Sequence, residues 1–401
     1  MIELNPSDVA HGGEAVARVD GKAHFVEGAM PGERVLGEVV KDGGSWARVE
    51  LRRIVERSPQ RIEPPCPHFG VCGGCQWQFA EYAAQTEWKR SILAGQLAHL
   101  GRIAEPPVRD TVVVGPPFGY RNRVDFGISG GRPALHRRRS HDLEPIDQCL
   151  LLHPALAELH SRLGDLGEAT AITLRIAVGT GEQLAVIEGQ VPAAATDWGC
   201  SVSYRRRSRL TAVIGDGTIT ESVAGATFRI TGDAFFQNNT AGAESLVELV
   251  GEALVPRVGD TLLDAYAGGG LFGITVGRGV AAVIAVESDP VAVSDLRHNA
   301  AAAGVAIRIV EGAVEQAVPV LGGHWNLAVV DPPRDGLGVE GGAAVTTGHP
   351  RTIAYVSCDP ASLARDSRYL AERGYRLEWA TPVDLFPQTF HIETVAAFSA
   401  A

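Results

Sequence analysis

From residue 256 onward one alternation repeats, and it leaves few folds open. The runs Thr261-Leu-Leu-Asp264, Ala282-Val-Ile-Ala-Val-Glu287, Ala306-Ile-Arg-Ile-Val310, Asn326-Leu-Ala-Val-Val-Asp331 and Ile353-Ala-Tyr-Val-Ser357 read as strands, and helical runs separate them. Two further strand-like runs follow, Arg376-Leu-Glu-Trp379 and Thr394-Val-Ala-Ala-Phe398. This pattern predicts a doubly wound α/β domain, and ligands of such domains bind at the carboxyl edge of the sheet.

The loops at that edge carry distinctive residues. Asp264-Ala-Tyr-Ala-Gly-Gly-Gly-Leu-Phe272 follows the first strand, and Gly268 and Gly270 allow a tight turn with close backbone approach to a ligand. Glu287 ends the next strand, where an acid can hold a ribose diol. A dinucleotide site wants a third glycine opening the helix, but here Gly273 is displaced and Phe272 intervenes. That spacing favours S-adenosylmethionine over NAD. Asp331-Pro-Pro-Arg334 closes the fourth strand with a rigid loop. Upstream, Asp233-Ala-Phe-Phe-Gln-Asn-Asn239 is expected to open an amphipathic helix from which Gln237 reaches the cofactor.

The fifth strand runs into Ser357-Cys-Asp-Pro360. Asp359 and Pro360 read as a helix cap and first helical residue, so Cys358 sits between a strand and a helix N-terminus. Unpaired amides and the helix dipole there are expected to favour a nucleophilic thiolate. The plainer alternative is a small buried hydrophobe.

The first 57 residues alternate apolar and polar positions between glycine-bearing turns, as in a small barrel. Gly13-Glu-Ala15, Asp20-Gly-Lys22, Phe25-Val26 and Pro31-Gly-Glu-Arg-Val35 resemble a TRAM domain, an OB-like RNA-binding module. Cys66-Pro-His-Phe-Gly-Val-Cys72-Gly-Gly-Cys75 then places three thiols within ten residues, and Cys149 supplies a fourth. Four thiolates suit an iron–sulfur cluster or zinc, and the three-plus-one spacing leans to a [4Fe-4S] cluster. His68 is the candidate nitrogen ligand if zinc is bound. A helix is expected over 79–100, followed by a β-rich central segment with one short helix. The expected domains are therefore 1–57, 58–235 and 236–401.

The net charge of −11 argues against a generic polyanion binder, yet residues 118–145 hold six Arg against three acids. Tyr120-Arg-Asn-Arg123 there carries the forks and amides that contact phosphate and bases. No run is apolar and long enough to span a bilayer, and no secretory leader is evident, so a cytoplasmic monomer is expected.

In this order the pieces closely resemble the S-adenosylmethionine-dependent RNA uridine-5-methyltransferases, over nearly the whole chain. The most specific motifs are Asp331-Pro-Pro-Arg334, Ser357-Cys-Asp-Pro-Ala-Ser-Leu-Ala-Arg-Asp366 and Phe386-Pro-Gln-Thr-Phe-His-Ile-Glu-Thr394. The resemblance implies Cys358 as nucleophile and Glu393 as proton acceptor. Gln237, Tyr266, Glu287 and Asp331 would be cofactor contacts, and Cys66, Cys72, Cys75 and Cys149 cluster ligands. His391 is expected to pack or orient. Ribosomal RNA is the expected substrate, with transfer RNA or a non-catalytic RNA-binding iron–sulfur protein as alternatives. Arg334, standing where an exocyclic-amine methylase wants an aromatic residue, disfavours that class. The chain departs from the family pattern at Asp359 and Leu271, where Asn is usual, and at Asn238.

Overall fold

The computed structural model describes residues 1–207, 209–232 and 234–401. Its C-terminal sheet has eight strands. Ile307–Glu311, Ala282–Glu287, Thr261–Ala265, Leu327–Val330 and Thr352–Ser357 lie side by side and parallel. Glu393–Ala400 then joins antiparallel, followed by Tyr375–Asp384 and the short strand Val112–Val113. Apolar clusters cover both faces, one around Leu246, Leu262 and Val356, the other around Leu263, Tyr355 and Leu363. This is the doubly wound α/β layout expected from the alternation.

Two smaller sheets precede it. The N-terminal six-stranded sheet encloses a core of Leu4, Ala15, Val26, Val35 and Val49. A seven-stranded central sheet, from Leu143–Pro145 at one edge to Arg209–Ile214 at the other, packs on the helix Pro154–Ser161. The helix Tyr82–His99 leaves this region and lies against the helix Pro360–Ala371. A fourth apolar cluster holds the parts together, with Val9 and Met30 from the N-terminal sheet meeting Trp77, Trp88 and Ile392.

Local details differ from the expectations. Val112 and Val113 fall within the expected β-rich central segment, but they extend the C-terminal sheet beside Val383 and Asp384. The hairpin Thr218–Val223 and Ala226–Thr231 also packs into the C-terminal core, because Ile219, Phe228 and Ile230 share its apolar cluster. Residues 234–239 are not helical. The helix begins at Thr240, where the Asn239 side chain accepts from the Gly242 amide at 3.2 Å. Asp233 lies outside the described residues.

Candidate active site

Four parallel strands end at one edge, and each presents residues singled out in the sequence. Gly268 and Gly270 follow Thr261–Ala265, Glu287 ends its strand, Asp331 follows Leu327–Val330, and Cys358 follows Thr352–Ser357. The antiparallel strand Glu393–Ala400 begins at this same edge. Its register pairs Ser357 with Thr394, so the next rung sets Cys358 across from Glu393. A parallel neighbour would have carried its first residue to the opposite edge.

The glycine loop and Glu287 form one unit. The Gly268 amide donates to Glu287 Oε2 at 2.8 Å, and the Ser288 and Asp289 amides donate to Oε1 at 2.7 Å. Gly270 has φ +94°, and a Cβ there would lie 2.5 Å from the Leu296 side chain, so this turn requires glycine. Tyr266 is itself left-handed, at φ +63°, and its hydroxyl donates to Glu315. Gln237 is buried, and its carbonyl accepts from Asn122 Nδ2 at 3.1 Å. Its neighbour Phe236 stacks on Phe228 and belongs to the large apolar cluster that also holds Ala267 and Leu271.

Beside this loop the sheet edge carries three acids, Asp264 and Glu393 buried and Asp331 half-buried. Asp264 accepts from the Gly273 amide at 2.7 Å through Oδ2, while its buried Oδ1 has no partner among the described residues. Burial lifts the Asp264 carboxyl to about 7. Burial, and then the charge of Asp264, lifts Asp331 to about 7 as well. Glu393 is held well above the ordinary carboxylate range by burial and by Asp331, with Arg334 opposing. Such a cup disfavours its own ionisation and favours a cationic ligand. The sequence did not single out Asp264 for a role, although an acid inside an apolar strand is a readable signal.

The electrostatics of Cys358 correct an expectation. Its thiol is pushed up to about 12, first by burial and then by Glu393 and Asp331, with Arg334 pulling the other way. Two backbone amides of this turn are already engaged. Asp359 Oδ1 accepts from the Ser362 amide at 2.7 Å, and Ser357 Oγ accepts from the Asp359 amide at 3.2 Å.

Two anchors fix the loops around these groups. Asp366 accepts from the Leu337 and Gly338 amides at 2.6 and 3.1 Å and from the Tyr355 hydroxyl at 2.6 Å. It thereby pins the Asp331-Pro-Pro-Arg334 loop to the helix after Cys358. Gly336, at φ +82°, passes so close to that carboxylate that any Cβ would collide with it. The second anchor holds the loop leading to Glu393. Lys89 donates to Asp384 Oδ1 at 2.6 Å and to the Phe386 carbonyl at 3.0 Å, with both charged side chains fully buried. Tyr82 donates to the other Asp384 oxygen at 2.8 Å, and Gln85 exchanges hydrogen bonds with Gln388. His391 stays neutral, its ring pushed down to about 4 by burial and then by Arg334, Lys89, Arg121 and His11.

Cys66, Cys72, Cys75 and Cys149 line one small pocket with His68 and Arg121. Burial raises the thiols of Cys72 and Cys149, and lifts Cys75 to about 12. Among the described residues no group of three or more His, Cys, Asp or Glu is gathered so as to hold a metal ion. Arg121 Nε is buried in this region without a hydrogen-bond partner among the described residues.

The stretch expected to touch RNA divides. Tyr120 is buried and donates to the Pro387 carbonyl at 3.1 Å. Asn122 is buried and donates to Gln237 and to Thr240. Both spend their polar groups inside the protein. Arg121 and Arg123 are half-buried, with Arg123 paired to Asp125 at 2.9 Å. Among the described residues no helix is long and apolar enough to cross a membrane.

A parallel sheet interrupted by one antiparallel strand, with a glycine loop and acids at its carboxyl edge, has the fold of an S-adenosylmethionine-dependent methyltransferase. The chain belongs to the RNA methyltransferase family. It is 35% identical over 426 residues to an RNA methyltransferase of Streptomyces avermitilis, covering 100% of this chain and 98% of that one. It is 36% identical to one of Gloeobacter violaceus, over 97% and 94% of the two chains. A family model described as "Conserved hypothetical protein 95" matches residues 244–337. Among solved structures, the tRNA (uracil-54, C5)-methyltransferase of Pyrococcus abyssi, in complex with S-adenosyl-L-homocysteine, superposes with a TM-score of 0.79. That match is 26% identical and covers 99% of this chain and 100% of the other.

Proposed function

We propose that this RNA methyltransferase modifies carbon 5 of a uridine, through a covalent adduct between Cys358 and carbon 6 of the base. The observation that carries the reading is the register that sets Cys358 across from Glu393, at the edge holding the glycine loop. The whole-chain likeness to an archaeal uracil-C5 enzyme supports it.

Gln237, Tyr266, Gly268, Gly270, Glu287 and Asp331 would hold S-adenosylmethionine, which would supply the methyl group and a positive sulfonium. Carbon 5 of uracil is a poor nucleophile until the Cys358 sulfur adds at carbon 6 and turns the ring into an enolate. Once carbon 5 is methylated, Glu393 takes its proton and the sulfur leaves, restoring the ring. Burial makes Glu393 a stronger base than an exposed carboxylate, which suits removal of a carbon-bound proton. Arg334 is the cation that favours the Cys358 thiolate. The base has to leave its stack to reach this cleft. Arg123 is the RNA contact left in the 120–123 stretch, since Arg121 lines the cysteine pocket, and the N-terminal sheet serves as the TRAM-like RNA module.

The four cysteines are proposed to carry a [4Fe-4S] cluster of structural role. Thiolates on one zinc ion stand about 3.8 Å apart, given tetrahedral bonds of roughly 2.3 Å. A cube spreads its ligands more widely, and the three-plus-one spacing of four thiols around one pocket supports the cluster reading. The unpartnered Arg121 Nε fits beside such an anionic group. Iron, acid-labile sulfide and zinc analysis of anaerobically purified protein separates the two.

Ribosomal RNA is the proposed substrate on the resemblance of the domain set. The end-to-end match to a transfer-RNA enzyme favours the second reading, transfer RNA. Mapping 5-methyluridine in both RNAs from a strain lacking this protein decides between them. Unchanged 5-methyluridine in every RNA would overturn the assignment of the reaction.

A further inference from the structure

The N-terminal sheet reaches the catalytic turn directly. Its loop at residues 10–13 brings His11 Nε2 to 3.5 Å from Asp359 Oδ2. Asp359 is the residue after Cys358, and its carboxylate is divided. Oδ1 caps the following helix at the Ser362 amide, which leaves Oδ2 for His11. The loop is fixed from behind. The Gly13 carbonyl accepts from Trp77 Nε1 at 3.1 Å, and Val9 packs in one cluster with Trp77, Phe390 and Ile392. Ile392 immediately precedes Glu393, so the same contact borders both sides of the proposed reaction.

We propose that His11 is a positioning residue for Cys358, holding the turn after the nucleophile from a module otherwise assigned to RNA binding. An ion pair with about a quarter of each side chain exposed adds little to stability, so its effect lies in orientation. The catalytic turn is then complete only when the N-terminal sheet is seated. This inference rests on Cys358 being the nucleophile.

The test uses full-length protein and RNA containing 5-fluorouridine, which lacks the proton needed to release the adduct. Single-turnover adduct formation and RNA affinity are measured side by side. His11→Ala should slow adduct formation about ten- to a hundredfold, the scale of a small misplacement of reacting groups, with RNA affinity unchanged. His11→Gln, which keeps a donor, should recover part of the rate. In an Asp359→Asn background, His11→Ala should add no further loss. A wild-type rate for His11→Ala, a defect confined to RNA affinity, or full additivity with Asp359→Asn would each overturn the proposal. No adduct from the wild type would instead sink the Cys358 assignment, and this inference with it.

Discussion

Cys75 and Cys358 share a number and differ in everything around it. Both thiols are lifted to about 12, chiefly by burial. The next influences diverge. At Cys75 a hydrogen bond from Gln78 opposes the shift, and Cys149, Cys72 and Cys66 add to it, the four thiols lining one pocket. Around Cys358 stand Glu393 and Asp331, with Arg334 in opposition. A buried thiolate has to be offset by positive charge. The first environment suits a permanent offset, a metal centre that fixes several thiolates together. The second suits a transient one, present only while a cationic cofactor and substrate occupy the cup. On the proposed reading, the same sulfur chemistry serves architecture in one place and turnover in the other.

The sharpest way to break this contrast is to remove each sulfur in turn. Cys358→Ala should abolish methyl transfer and adduct formation, with thermal midpoint and iron content unchanged. Cys75→Ala should lower iron content and thermal midpoint, while the protein that remains folded still forms the adduct with 5-fluorouridine RNA. Exchange of those two phenotypes would invert the assignment.

Next in size is Glu393→Gln. Loss of the base should reduce turnover by roughly 10²–10⁴-fold and leave RNA covalently attached on an ordinary uridine substrate. Slow turnover without trapped RNA would place the defect before proton removal and move the base elsewhere.

The Lys89–Asp384 pair tests the scaffold under the catalytic side of the comparison. Lys89→Met leaves a buried carboxylate without its cation and should cost about 3–5 kcal/mol in denaturant unfolding. The double replacement Lys89→Met with Asp384→Leu should recover much of that. Equal losses in both would mean the pair acts through shape alone.

The smallest effect is a proton count. Asp264 and Asp331, both lifted to about 7, hold protons in the folded state that the unfolded chain releases near pH 4. Stability of the cofactor-free protein therefore falls as pH rises from about 4 through about 7. A sulfonium in the cup should draw those protons off. Calorimetry near pH 6.5 in two buffers should show more proton release with S-adenosylmethionine than with the neutral thioether S-adenosylhomocysteine. Equal release would mean the cup does not sense the charge.

Much of this was legible in the sequence because it is written locally. The strand runs, the glycine loop, the cap at Asp359 and the cysteine spacing each depend on residues near one another in the chain. What escaped is set by distant partners. Lys89 reads as a surface cation in a polar helix until Asp384, 295 positions away, closes over it. Tyr120 and Asn122 read as RNA contacts until Pro387, Gln237 and Thr240 consume their polar atoms. The rise of the Cys358 thiol likewise comes from surroundings the local turn does not reveal, burial first and then Glu393 and Asp331. His11 carried no signal, since nothing in the sequence near it hints at Asp359.

The helix Tyr82–His99 sends Tyr82 and Lys89 beneath the loop that ends at Glu393, and Val112–Val113 closes the far border of the large sheet. A gene fragment starting at the doubly wound half would expose that seam and strand Asp384 without a counter-ion. Engineers seeking a minimal enzyme therefore have to cut ahead of residue 82, and a swap of RNA-binding modules has to carry that helix along with the catalytic half.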